Sequence, residues 1–375
     1  MMLMKKLFLL SLFVGFSLSI YGQETIPLKD ALSLTECRVS EYASSIEYIP
    51  LETTDDCLIG DEFSLIVASQ DIFVHHYLEK KIYRFDKSGK FLNSIGKRGQ
   101  GPGEYNDVFG IYADDSSKEC FLLEPYSNRI NVYDYNGMFK RTINVKSAPN
   151  RMIKFDDNYI LNHILMSYNK YELTMINPQG KIVKQNNREG NQRIGFSLFF
   201  PFFYTSGGNI YYKNHISEYI YSIDKDLKRK KVYWLDLGSK AINSEENQYD
   251  LKKGSLTKDK VVVSTPSAYR DKLFIPYAYD KGRFFAVYNT TSKKLFTPGL
   301  NGKSGFIDDL TNGPLVEVPY SMNLITSFKE SQLVSVIHMT DIADESFPDG
   351  KFKQVLDKYQ LNEDSNPIIR IVNLK

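Results

Sequence analysis

Lys81-Ile82-Tyr83-Arg84-Phe85-Asp86-Lys87-Ser88-Gly89-Lys90-Phe91 alternates apolar and polar side chains up to an aspartate, turns through Ser88-Gly89, and starts again. A period of two marks a half-buried strand. An Asp before a glycine-containing turn reverses the chain: the carboxylate caps nearby backbone N–H groups and glycine supplies the positive φ. The same pattern returns in Arg129-Ile130-Asn131-Val132-Tyr133-Asp134-Tyr135-Asn136-Gly137-Met138-Phe139. Weaker copies occupy 173–181, 219–227, 284–289 and 368–373.

The turn residues Asp86, Asp134, Asn177, Asp224, Asn289 and Asn373 are spaced 48, 43, 47, 65 and 84 apart. A period of roughly 40–50 residues is that of a propeller blade or a solenoid turn. A second short strand precedes each copy: Ile72–Val74, Cys120–Leu123, Tyr159–Asn162, Asn209–Tyr212, Lys272–Ile275 and Gln332–Ile337. Six units, each with room for an inner and an outer strand besides, predict an all-β, six-bladed β-propeller. Little chain follows Asn373, so the outermost strand of the last unit is expected from Ile46–Leu51, closing the ring. The two longest spacings imply insertions; the last, 341–366, is expected to carry a short helix around Phe352–Tyr359.

Composition agrees with a β fold: 26 Tyr and 24 Phe stand against a single Trp among 375 residues. A net charge of +2, from 47 basic and 45 acidic residues, gives no reason to expect nucleic acid as a partner. Lys5 and Lys6 precede the uncharged, mostly apolar run Leu7–Ile20, which is short for a spanning helix and is followed by small or polar residues up to Gln23. Residues 1–22 are therefore expected as a cleaved signal peptide, 23–43 as a leader segment and 44–375 as the propeller. Position 23 is Gln rather than Cys, so neither a lipid anchor nor a transmembrane anchor is expected. The three cysteines, Cys37, Cys57 and Cys120, show no metal spacing and read as buried thiols, although Cys37 and Cys57 could pair.

The segment from Asp86 through Gly96-Lys97-Arg98-Gly99-Gln100-Gly101-Pro102-Gly103-Glu104-Tyr105 resembles an NHL repeat, its glycine-rich tail being similar to the link between NHL blades. Tyr48-Ile49-Pro50-Leu51-Glu52-Thr53-Thr54 with Leu58-Ile59-Gly60, and Asn362-Glu363-Asp364-Ser365-Asn366-Pro367-Ile368, resemble the opening and closing segments of exported six-bladed propellers of Bacteroidota. The resemblance implies a propeller over about residues 40–375 that acts as a binding platform. It carries over no catalytic residue.

In such a ring the turn between the second and third strands opens on the same face as the link to the next blade. That level would hold His76, Glu124, Tyr126, His163, His215, Tyr279 and His338, and Arg98 would stand in the glycine-rich link. These eight are the candidate ligand-binding residues. Histidine, carboxylate and tyrosine suit metal ligation or proton transfer if they converge, and are equally acceptable at strand ends if they do not. Arg98 beside Gly99–Gly103 could hold an anion, or the link could be only a tight turn between blades. No nucleophile elbow, His-Glu-x-x-His or Walker sequence occurs. The expected function is an exported, non-catalytic, monomeric binding propeller for a glycan, peptide or envelope protein in the periplasm or outside the cell, with no cofactor or metal. The alternative is a metal-dependent, lactonase-like hydrolase or lyase built on a central His/Glu cluster.

Overall fold

The computed structural model describes residues 23–163, 170–187, 202–213, 217–242, 259–280, 282–319, 325–327 and 329–375. The fold is all-β, a β-propeller with few helices. Strands are joined mostly to their sequence neighbours, so each sheet is an antiparallel meander. The described strands lie in six sheets, numbered here in chain order of their second strands.

The first sheet runs Phe63–Val67, Asp71–His76, Lys81–Asp86 and Phe91–Ser94, and Ile325–Ser327 adds to Phe63–Val67 in parallel. The second contains Gly110–Asp114, Glu119–Glu124, Arg129–Asp134 and Phe139–Asn144, and the third Pro149–Phe155, Asn158–His163, Tyr171–Ile176 and Ile182–Asn187. The fourth contains Phe202–Ser206, Asn209–Lys213, Tyr219–Ile223 and Arg229–Leu235. Lys272–Tyr279, Gly282–Asn289 and Leu295–Leu300 form the body of the fifth. In the sixth, Ile368–Leu374 lies between Gln332–Ile337 and Ala43–Pro50, antiparallel to both.

The recurrent turn works as its chemistry suggests. Asp86 Oδ1 accepts from Ser88 N at 2.8 Å and Lys90 N at 3.0 Å. Asn177 Oδ1 takes Lys181 N at 2.8 Å, Asp224 Oδ1 takes Lys228 N at 2.9 Å, and Asn289 Oδ1 takes Thr291 N at 2.9 Å. The glycine has a second duty that the local pattern does not reveal. Gly89 (φ +88°) lies so close to the sixth sheet that a Cβ there would stand 2.0 Å from Pro50 O. Gly137 meets Ser94 O of the first sheet in the same way, and Gly180 meets Ile143 of the second. Each turn is thus wedged against the outer strand of the preceding sheet. Arginines reinforce these seams: Arg84, paired with Asp71, donates to Tyr135 O at 3.0 Å, and Arg141, paired with Glu119, donates to Pro178 O at 3.0 Å.

Residues 23–43 are woven into the sheets. Glu24–Ile26 pairs in parallel with Arg229–Leu235 on the outer edge of the fourth sheet, and Leu34–Thr35 pairs in parallel with Leu295–Leu300 of the fifth. Ile26 and Leu28 are buried among Leu235, Leu237 and Val263, while Tyr288 and Lys293 both bind the Glu24 carboxylate. The insertion before the last strand forms α1 (Met339–Ile342) and α2 (Lys351–Tyr359), the latter where the sequence predicts it. Phe352 of α2 packs on Tyr48 with ring centroids 4.9 Å apart. Most of the largest fully buried side chains are aromatic, Tyr83, Tyr133, Tyr212, Phe121 and Phe274 among them, so the Tyr and Phe content goes chiefly into packing between sheets. All three cysteines are buried free thiols.

Candidate functional site

Links between sheets meet the ends of second strands on one side of the propeller: Gly60 N donates to His76 Nε2, Asn106 N to Glu124 Oε2, and Lys240 Nζ to Tyr279 OH. Among the described candidates no three His or Glu side chains meet as a set that could hold a metal ion.

Glu124 is buried and fully engaged. Its oxygens accept from Arg129 Nε at 2.9 Å and Nη2 at 3.0 Å, from Asn131 Nδ2 at 2.9 Å and from Asn106 N at 2.9 Å. That arrangement clamps the glycine-rich link onto the second sheet. Within the link, Glu104 Oε2 accepts from Gly101 N at 2.9 Å, so a carboxylate of the protein already takes an N–H that an anion would need. Arg98 projects from this turn and is exposed. Tyr126 is exposed and packs edge-on against Phe109, with centroids 5.1 Å apart. His163 is buried within the third sheet, its Nε2 2.8 Å from Thr174 Oγ1, and burial lowers its pKa to about 4. Tyr279 is covered by the Lys240 ammonium, 4.4 Å above its ring. His215 lies outside the described residues.

Two of the candidates do come together. His76 ends the second strand of the first sheet, His338 follows the first strand of the sixth, and both line a cleft of about 410 Å³. The link 58–61, the turn after His76, the start of α1 and residues 363–367 complete its walls. Leu58 and Leu78, 50% and 76% exposed, supply apolar surface at the rim. Asp61, Glu79, Glu363 and Asp364 supply carboxylates, and no Lys or Arg lines the space. His338 Nδ1 lies 3.5 Å from Asp61 Oδ1. His76 is 5% exposed, and burial holds its imidazole below the usual histidine range. The Gly60 N–H points at Nε2 from 3.3 Å, so the neutral ring carries its proton on Nδ1, which is buried and has no hydrogen-bond partner among the described residues.

A second cavity, of about 400 Å³, lies between the inner strands of the first to fourth sheets, lined by Ile66, Tyr112, Arg151, Met152 and Phe202 among others. At its wall Asp114 and Lys154 close on each other at 3.1 Å. Sequence reasoning placed none of its candidates there. Among the described residues no three His, Cys, Asp or Glu side chains gather as a set that could hold a metal ion.

The domain family of unknown function DUF4934 matches residues 23–373. The chain belongs to that family. The match starts at the segment whose first strand joins the fourth sheet, so the DUF4934 unit includes the leader. Among solved structures, this DUF4934 chain is similar to an exported protein of Bacteroides fragilis NCTC 9343 at a TM-score of 0.71 and 17% identity, covering 94% of this chain and 99% of that one. A DUF4221 family member from Bacteroides vulgatus aligns at a TM-score of 0.52 and 11% identity, covering 92% and 99% of the two chains. At these identities the likeness is one of fold. No curated protein matches the sequence. Among the described residues no helix is long and apolar enough to cross a membrane.

Proposed function

We propose that this DUF4934 protein is an exported, non-catalytic, monomeric binding propeller that receives a glycan, peptide or envelope-protein ligand in the cleft of His76 and His338. In this reading the six sheets are six blades. The pairing of Ala43–Pro50 with Ile368–Leu374 closes the ring, residues 1–22 are removed on export, and the glycine-rich segment 96–105 is an NHL-like link.

The observation that carries the reading is the cleft. Exposed leucines, a buried imidazole and the carboxylates of Glu363 and Asp364, which lack ion-pair partners among the described residues, meet there in a space of the size that small ligands occupy, roughly 300–1,000 Å³. Glu124 and His163, two of the groups a metal-dependent hydrolase or lyase could add to the two histidines, are instead committed to Arg129 and Thr174.

Thermal melting of the chain from Gln23, with panels of glycans, peptides and divalent metals, tests this. A ligand bound to the native state raises the Tm by mass action. The expected result is a shift by a glycan or peptide that is lost in Leu78→Ser, a change at an exposed position. A shift by a divalent metal that is lost in His338→Ala would turn the assignment toward the hydrolase or lyase.

A further inference from the structure

Resting on that reading of the cleft, we infer that its ligand is a peptide segment carrying Lys or Arg beside aliphatic side chains. The walls combine two chemistries that one such side chain satisfies at once. Ile59, Met339 and Pro367, with the exposed Leu58 and Leu78, give an aliphatic surface against which a methylene stem loses its water. Asp61, Glu363 and Asp364 ring that surface with negative charge. Glu79 already has a cation, Lys81 Nζ at 2.7 Å, and Asp61 has the His338 imidazole, neutral unless protonated. Glu363 and Asp364 have no ion-pair partner among the described residues. With no Lys or Arg in the lining, the potential inside is negative and favours a cation.

A lysine stem on the leucines, with its ammonium among the three carboxylates, satisfies both chemistries. Neutral glycans supply no cation, and anionic ligands would meet like charge.

The test compares two acetylated, amidated pentapeptides by isothermal titration calorimetry, one alternating leucine with lysine and one alternating leucine with glutamate. Binding of the lysine peptide is expected, weaker at high salt, with the glutamate peptide much weaker. The double variant Asp61→Asn, Asp364→Asn, both at exposed positions, is expected to lose roughly tenfold in affinity for the lysine peptide, as two exposed charge contacts allow. Equal affinity for the two peptides, or no loss in the double variant, overturns the inference. Binding of neither peptide also overturns it; a glycan whose Tm shift is lost in Leu78→Ser would then leave the cleft a binding site of another class, and the absence of any such ligand would remove the binding reading too.

Discussion

Gly89 joins local and global structure at a single Cα. Its φ of +88° suits the turn after Asp86, and the missing side chain lets the turn press on Pro50 O in the sixth sheet. In Gly89→Ala the positive φ alone costs about 1–2 kcal/mol, and the methyl must also push two sheets apart, so denaturant melts are expected to lose at least about 2 kcal/mol. Gly302, at φ +80° with open space around it, is the control: Gly302→Ala is expected to lose only about 1 kcal/mol. The buried histidines set the acid response. Burial lowers His75 to about 3 and His163 to about 4. Unfolded, both bind a proton near pH 6.5, so between that value and about pH 4 the unfolded chain holds more protons and stability falls as pH falls. A drop on the order of 2–3 kcal/mol per histidine is expected by pH 4.5, and His163→Gln, which can still bond Thr174, should flatten the pH dependence of the Tm.

At the scale of elements, the hairpins were legible and their partners were not. Alternation before Asp86, Asp134, Asn177, Asp224 and Asn289, with a turn residue behind each, located the strands because each signal spans fewer than a dozen consecutive residues. The fourth copy has Leu227 where the first three have glycine, in the same left-handed region at φ +57°; it is buried in the core, a tertiary gain that the turn pattern cannot show. The leader went unread for a related reason. Glu24–Ile26 is three residues long and pairs in parallel with a strand some two hundred positions away, a contact that leaves no local period. Ile26→Ala is therefore expected to lose about 2–4 kcal/mol in urea melts, as for a buried core position. A loss below about 0.5 kcal/mol, the range of surface positions, would mean that the leader is only loosely attached.

Over the whole molecule, one side chain fastens the segment before the last strand to the link 52–59. Asn366 donates to Glu52 O at 2.6 Å and Cys57 O at 2.8 Å, and accepts from Ile59 N at 2.8 Å. Asn366→Ala would remove this partner from Cys57 O and Ile59 N, while Glu52 O keeps Cys57 Sγ at 3.2 Å; a loss of about 2–3 kcal/mol is expected, with amide exchange rising first at Ile59. The candidate site was legible only in part. His76 and His338 were found as strand-end histidines, but what unites them is contact between the first and sixth sheets. Leu58, Asp61, Leu78 and Asp364 join them through links and turns with no motif of their own. An apolar residue such as Leu78 in a turn is a signal only once the core is known to do without it. Glu124 and His163 end their second strands as His76 does and differ in what lies beside them.

The binding role of the cleft can be tested through the histidines themselves, since the chain has only five. Imidazole-labelled protein would be titrated, by NMR, with any ligand that raises its Tm. The signals of His76 and His338 are expected to move together and in proportion to occupancy, while those of His75 and His163 stay in place. A ligand that saturates the protein and leaves His76 and His338 unmoved would contradict the assignment of the cleft as the binding site.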